Sequence, residues 1–296
     1  MSNKLEILSL YGFRRDPFYG HDIVSADAVR VRSLLAMAIS AHAQISIVGE
    51  RGIGKTRAVN AALRELKIKP VRILTPDKSR TTASDIQEAL LIELAPGERV
   101  RQDREVRVRQ LRRILGEASK RESVVVVIDE AHRLHGNTLR SLKNLRELDW
   151  MGETHLFTAV LVGQSDSTQN IGLAEVRLRT DVVHMHGLTG SEIREYVRKT
   201  VGNVFEDEAV GAVGGLPDAR NYLDLQDLLV KCMANALTRG AEKVGKEDVG
   251  ELERTGARST IEGAKGGTRR NALKSVLDRR TKTDSRGVAE GAEKTA

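Results

Sequence analysis

The sequence predicts an α/β protein, a parallel β-sheet covered by helices on both faces, followed by a smaller all-helical part. Two observations carry this. Short apolar runs rich in β-branched residues, at 44–48, 71–74, 123–128, 157–162 and 182–186, alternate with helical segments, the pattern of strands joined by crossover helices. From Thr189 onward such runs stop, and 191–200, 206–213, 221–238 and 246–252 all read as helices.

Taken in order, residues 1–24 form an N-terminal extension in which Tyr11, Phe13, Pro17 and Phe18 mark an ordered loop packed on something. Ser25 caps a helix to Ser40, with Val29, Leu34, Leu35 and Ile39 expected on its buried face. Residues 44–48 are a short buried strand, 55–66 the next helix, and 83–94, 103–120 and 138–148 further helices between strands. The expected organisation is therefore a core at 25–188, a helical lid at 189–252, and a tail at 253–296 that is rich in Gly, Thr, Arg and Lys and mostly disordered, with a short helix at 270–279 on contact with a partner.

The chemistry starts where the first strand ends. Gly49-Glu50-Arg51-Gly52-Ile53-Gly54-Lys55-Thr56 has the spacing Gly-x4-Gly-Lys-Thr of a phosphate-binding loop, placed between a strand and a helix as that motif requires. Its glycines let backbone amides point at phosphates, the helix start adds positive potential, the Lys55 ammonium reaches the β and γ phosphates, and the Thr56 hydroxyl ligates Mg2+. The second half is the run 124–128, four valines and an isoleucine, which ends in Asp129 and Glu130. Acids at the carboxyl end of a buried parallel strand emerge where open α/β sheets bind ligands. Asp129 is expected in the Mg2+ shell and Glu130 beside the attacking water, so ATP hydrolysis is the expected reaction. Asp129-Glu130-Ala131-His132 also spells the box of one helicase class, but such enzymes need a second motor domain, and the remaining chain is too short and too helical for one.

Charge narrows the partners. The net charge is +7, and residues 254–296 carry 11 Lys+Arg against 5 Asp+Glu, so the tail holds most of the excess. Within the rest, residues 99–113 hold seven arginines against Asp103 and Glu105. A basic stripe and a basic tail point to polyanions, and an aromatic content of 3% argues against base stacking on single strands, so duplex DNA is the expected partner. The single cysteine allows no disulfide within the chain, the first residues lack a signal-peptide profile, and the most apolar stretch, 34–48, is too polar to span a bilayer. A cytoplasmic setting without membrane contact is expected.

Phosphate loop, acidic strand end, a further strand ending Leu161-Val162-Gly163-Gln164, arginines at Arg177 and Arg179 and a helical lid together resemble the AAA+ ATPases over about residues 10–250. That resemblance implies a P-loop AAA+ core with a small helical lid. It implies that Gln164 orients the water, that Arg177 or Arg179 is an arginine finger reaching the neighbouring subunit's nucleotide, and that Arg220, in Gly215-Leu216-Pro217-Asp218-Ala219-Arg220-Asn221, senses nucleotide from the lid. Within the superfamily, the stretch 128–134, the strand 159–163 and the short lid are most similar to the transposition regulators of the MuB, TnsC and TniB kind. These polymerise on DNA with ATP bound and recruit a transposase. By that resemblance the loop after the second strand contacts the DNA backbone, so Lys78 and Arg80, with Arg99 and Arg101 nearby, are the expected DNA contacts. The opening 11–18 is more like ExeA-type secretion ATPases, whose membrane span and periplasmic part this sequence lacks; a replication initiator or loader is the other alternative.

Overall fold

Five strands form one sheet in the order β2-β3-β4-β1-β5, with β1 at Gln44–Val48, β2 at Val71–Ile73, β3 at Val125–Ile128, β4 at Thr158–Gly163 and β5 at Thr180–His184. Every neighbouring pair is parallel. The computed structural model describes residues 3–20, 23–73, 81–169 and 173–255 of the chain. These divide into two compact units, one of residues 24–187 and one built from the residues before 24 and after 187.

Alternation along the strands explains the layers of the first unit. Ile45, Ile47, Val125, Val127, Val160 and Val162 point to one face, where α2 (Ala26–Ser40) and α3 (Lys55–Glu65) cover them. Val126, Ile128, Ala159 and Leu161 point to the other, under α4 (Ala83–Leu94), α5 (Arg104–Ser119) and α6 (Gly136–Arg146). Each large aliphatic side chain, taken fully out of water, stabilises the fold by about 1.5–3 kcal/mol before entropy is counted. Close packing extends to Trp150, whose ring lies where a Cβ on Gly116 would stand 2.1 Å away, so only glycine fits there.

Capping sets the helix starts: Ser25, as expected, accepts from the Ala28 N–H at 3.2 Å, and on α4 Thr82 with Asp85 makes a capping box. The buried face of α2 differs from expectation. Val31, Leu35, Ala38 and Ile39 are buried, whereas Val29 is 48% exposed and Leu34 only partly covered. With an alanine serving as a core residue, the apolar stripe of α2 is rotated relative to the one the larger side chains suggest. The expected strand at 123–128 is shortened in the structure to Val125–Ile128, and the one at 182–186 is shifted to Thr180–His184.

The second unit contains α1 (Lys4–Leu10), then α8 (Gly190–Val201), α9 (Asp207–Val213), α10 (Tyr222–Arg239) and α11 (Lys246–Thr255). The N-terminal segment is part of its core. Phe18 is buried and stacks on Tyr196 with ring centres 6.4 Å apart, and the Tyr11 hydroxyl donates to the Met233 carbonyl at 3.0 Å. Asp248, fully buried, accepts from Arg239 at 2.7 Å and from the Gly245 N–H at 2.8 Å, satisfying its charge. The thiol of Cys232, buried in the same core, is pushed up to about 12 by desolvation. Among the described residues no helix is long and apolar enough to cross a membrane. The expected tail helix at 270–279 lies outside the described residues.

Candidate nucleotide site

At the carboxyl edge of the sheet the phosphate loop leaves β1 and closes into α3. Gly52 and Gly54 adopt positive φ of 86° and 97°, which other residues reach only with strain. Gly54 is the N-cap of α3 and has no side chain to satisfy the first amides of the helix, which leaves them for an anion. The Lys55 side chain folds over this cradle and donates to the carbonyls of Gly49 and Glu50, each at 2.7 Å. Lys55 is only 8% exposed, and burial pulls its ammonium below the usual lysine range while Glu130 and Asp129 work in the opposite direction. A desolvated cation held on two neutral carbonyls is well suited to move onto a phosphate, where it meets full opposite charge.

Register brings the acids to the same edge. Val48 is paired with Gly163 and Ile128 with Leu161, so the ends of β1, β4 and β3 lie side by side. There the Thr56 hydroxyl donates to Asp129 Oδ2 at 2.9 Å, while Asp129 Oδ1 accepts from the Glu130 N–H at 2.9 Å. One hydroxyl and one carboxylate converging at this point suit Mg2+, which takes few protein ligands and completes its shell with phosphates and water. The residues therefore fit the metal, Thr56 and Asp129 being the pair that would hold it. Glu130 adopts a left-handed φ of 53°, a strained conformation for a non-glycine residue. Its carboxylate is half-exposed, with Oε2 3.7 Å from His132 Nε2 and 3.6 Å from Arg133 Nε.

Gln164 is exposed directly after β4, beside the acids, and its backbone N–H donates to His132 Nδ1 at 3.3 Å. His132 is not among the expected site residues; in sequence it enters only as part of a helicase-like box and of the stretch 128–134. Its position two residues after Glu130, in a tight turn, was the available signal.

The two arginines expected to act on nucleotide lie elsewhere. Arg177 ends the short helix α7 (Ala174–Arg177) and Arg179 immediately precedes β5. Thr180 is paired with Gln44, at the start of β1, whereas the phosphate loop follows Val48 at its end. At a strand rise of about 3.3 Å per residue, the four steps from Gln44 to Val48 put the two edges about 13 Å apart, beyond the reach of an arginine side chain. Arg179 is ion-paired with Glu147. Arg177 is exposed and makes no ion pair among the described residues. Behind them Arg146, 7% exposed, donates to the His42 carbonyl at 2.5 Å, and its charged form is disfavoured first by burial and then by Arg179.

The remaining candidates are dispersed. Arg220 is exposed at the end of a single turn, Pro217–Arg220, in the helical unit, and its carbonyl accepts from the Leu188 N–H at 2.8 Å. Lys78 and Arg80 lie outside the described residues. The segment carrying Arg99 and Arg101 is held on α5 by Gln110, which accepts from the Arg101 N–H at 3.2 Å and donates to the Arg99 carbonyl at 3.1 Å. Of the seven arginines in this stretch, Arg112 pairs with Asp149, Arg113 with Glu98 and Glu117, Arg109 with Glu105, and Arg107 bonds Gln87. Arg99, Arg101 and Arg104 are exposed and keep no such partner among the described residues.

The profile of the AAA domain family matches residues 40–171, which span the phosphate loop, both acids and Gln164. Structures similar to the chain include Cdc6p from Pyrobaculum aerophilum, with a TM-score of 0.57, 13% identity and coverage of 84% of this chain and 70% of that one. Thermotoga maritima RuvB, a Holliday junction branch migration motor, gives 0.52 at 16% identity, over 79% and 72%. Drosophila ORC bound to DNA gives 0.52 at 16% identity, over 86% and 67%. No curated protein sequence matches. With its 2-3-4-1-5 sheet, phosphate loop and acidic strand end, the chain has the P-loop AAA+ fold.

Proposed function

We propose that this chain is an ATP-hydrolysing AAA+ protein that assembles with itself on duplex DNA, without reading base sequence, and recruits a transposase to that DNA. The observation that carries the assembly is the division of the site. Lys55, Thr56, Asp129 and Glu130 stand at one edge of the sheet, and Arg177 and Arg179 at the opposite edge, so an arginine of one copy meets ATP only when a second copy docks. Such docking is heterologous, and its repetition gives a ring or a filament.

In the proposed reaction the amides of the loop and Lys55 hold the β and γ phosphates. Glu130 takes a proton from water as the water oxygen bonds to the γ-phosphorus and the bond from that phosphorus to the bridging oxygen breaks, leaving ADP and phosphate. Gln164 orients the water, and the neighbour's Arg177 or Arg179 spreads the charge that builds on the transferred oxygens. Thr56 and Asp129 would hold Mg2+, which when bound would neutralise further charge on the phosphates.

Three features support duplex DNA: Arg99, Arg101 and Arg104 without ion-pair partners among the described residues, the basic stretch after residue 254, and fold likeness to ORC bound to DNA and to RuvB. Charges of this kind neutralise phosphates and tolerate any sequence. Lys78 and Arg80, which lie outside the described residues, join the proposed DNA contacts on the resemblance to transposition regulators. The transposase rests on the resemblance to transposition regulators. Likeness in fold to Cdc6p and ORC favours a replication initiator as the second reading.

The test is binding of random-sequence duplex with ATP, with ADP and without nucleotide, over a range of salt. Binding is expected to need ATP and to weaken by about 0.9 log units per log unit of salt for each phosphate neutralised. Equal binding without nucleotide, or no salt dependence, would contradict the proposal.

A further inference from the structure

His132 has no part in the chemistry above, yet it lies between two groups that do. Its Nδ1 accepts from the Gln164 N–H, and a ring nitrogen that accepts carries no proton, so in the neutral imidazole the proton sits on Nε2. That nitrogen is the one 3.7 Å from Glu130 Oε2, and the His132 side chain is only 19% exposed. Gly163 makes room for it: a Cβ there would stand 3.2 Å from His132 N and 3.5 Å from His132 Cβ. Arg133 lies 3.6 Å from the same Glu130 oxygen but is 72% exposed, so water and salt weaken its hold.

We propose that His132 is a positioning residue for ATP hydrolysis, a strut whose Nδ1 is fixed by the Gln164 backbone at the end of β4 and whose Nε2–H directs the Glu130 carboxylate. This rests on the ATPase reading and deepens it. At 3.7 Å the contact is longer than a hydrogen bond, and a small rotation of the half-exposed carboxylate closes it. Both groups expected to orient the attacking water, Gln164 and Glu130, then share one reference point, so a shift of the β4 end moves the base with it.

Two substitutions separate the two nitrogens. His132→Gln places an amide N–H near the position of Nε2 and gives up the Nδ1 acceptor; His132→Asn places a carbonyl oxygen near Nδ1 and gives up the donor to Glu130. The experiment measures ATP turnover with duplex DNA, and binding of a fluorescent ATP analogue, in both variants, in Glu130→Gln, and in Glu130→Gln combined with His132→Asn. In His132→Asn, kcat is expected to fall about 10-fold to 100-fold with KM for ATP and analogue binding within about 2-fold, and His132→Gln to recover most of the loss. In the Glu130→Gln background, His132→Asn is expected to add no further loss in single-turnover assays, because it acts through Glu130. Unchanged kcat in His132→Asn, or an equal loss in both backgrounds, overturns the proposal. A wild-type chain that binds the analogue but hydrolyses no ATP overturns the ATPase reading itself, and the strut with it.

Discussion

The two edges of the sheet are built in opposite ways. At the carboxyl edge the polar groups are bonded within the subunit: Lys55 to two loop carbonyls, Thr56 to Asp129, Gln164 to His132. At the amino edge positive charge outnumbers negative: Arg146 is buried, Lys143 pairs with Glu147 and Glu175, Arg179 shares Glu147, and Arg177 has no ion pair among the described residues. A site complete in one subunit would collect its charges at one edge. On the proposed reading the contrast has a reason: the first edge holds a nucleotide, and the second offers charge to the next copy's phosphates.

The strongest way to break this comparison is to remove the second edge. Arg177→Ala with Arg179→Ala is expected to lower ATP turnover about 1,000-fold while leaving binding of a fluorescent ATP analogue intact. Of the two single variants, Arg177→Ala should carry the larger loss, because Arg179 is already paired with Glu147. An equal loss of nucleotide binding would place the arginines in their own subunit's site. The first edge is sharpened by a pair of variants: Glu130→Gln should slow turnover about 100-fold with binding kept, whereas Lys55→Ala should remove binding, both read in the same titration and turnover assays. A smaller effect is expected away from both edges. Arg99→Ala, Arg101→Ala and Arg104→Ala together should flatten the salt dependence of DNA binding by about 0.9 for each phosphate that is no longer neutralised, and leave DNA-free turnover unchanged.

Much of the first edge was legible in the sequence, because its parts are local. A five-residue buried strand runs straight into a glycine loop and a helix, and a valine run ends in two acids; spacing along the chain alone dictates where Lys55, Thr56, Asp129 and Glu130 emerge. The second edge depends on pairings distant in sequence. Nothing near Arg112 announces Asp149, nothing near Arg179 announces Glu147, and the four-residue helix that presents Arg177 is too short to show a period. His132 fell between these cases: its partner Glu130 is local, but the acceptor role that fixes its proton is set by the Gln164 N–H, just past the end of β4. The stripe of α2 departs from its expected position for a packing reason, with Ala38 in the core and Val29 exposed.

The central claim is that one copy's Glu130 and the next copy's arginines complete a single site. Mixing tests it most directly: Glu130→Gln protein and Arg177→Ala/Arg179→Ala protein are each assayed alone, then together at equal concentration with ATP and duplex DNA. The account predicts that the mixture regains about a quarter of wild-type turnover, the chance that an intact Glu130 meets intact arginines across a random interface. A mixture as inactive as its two components would contradict it.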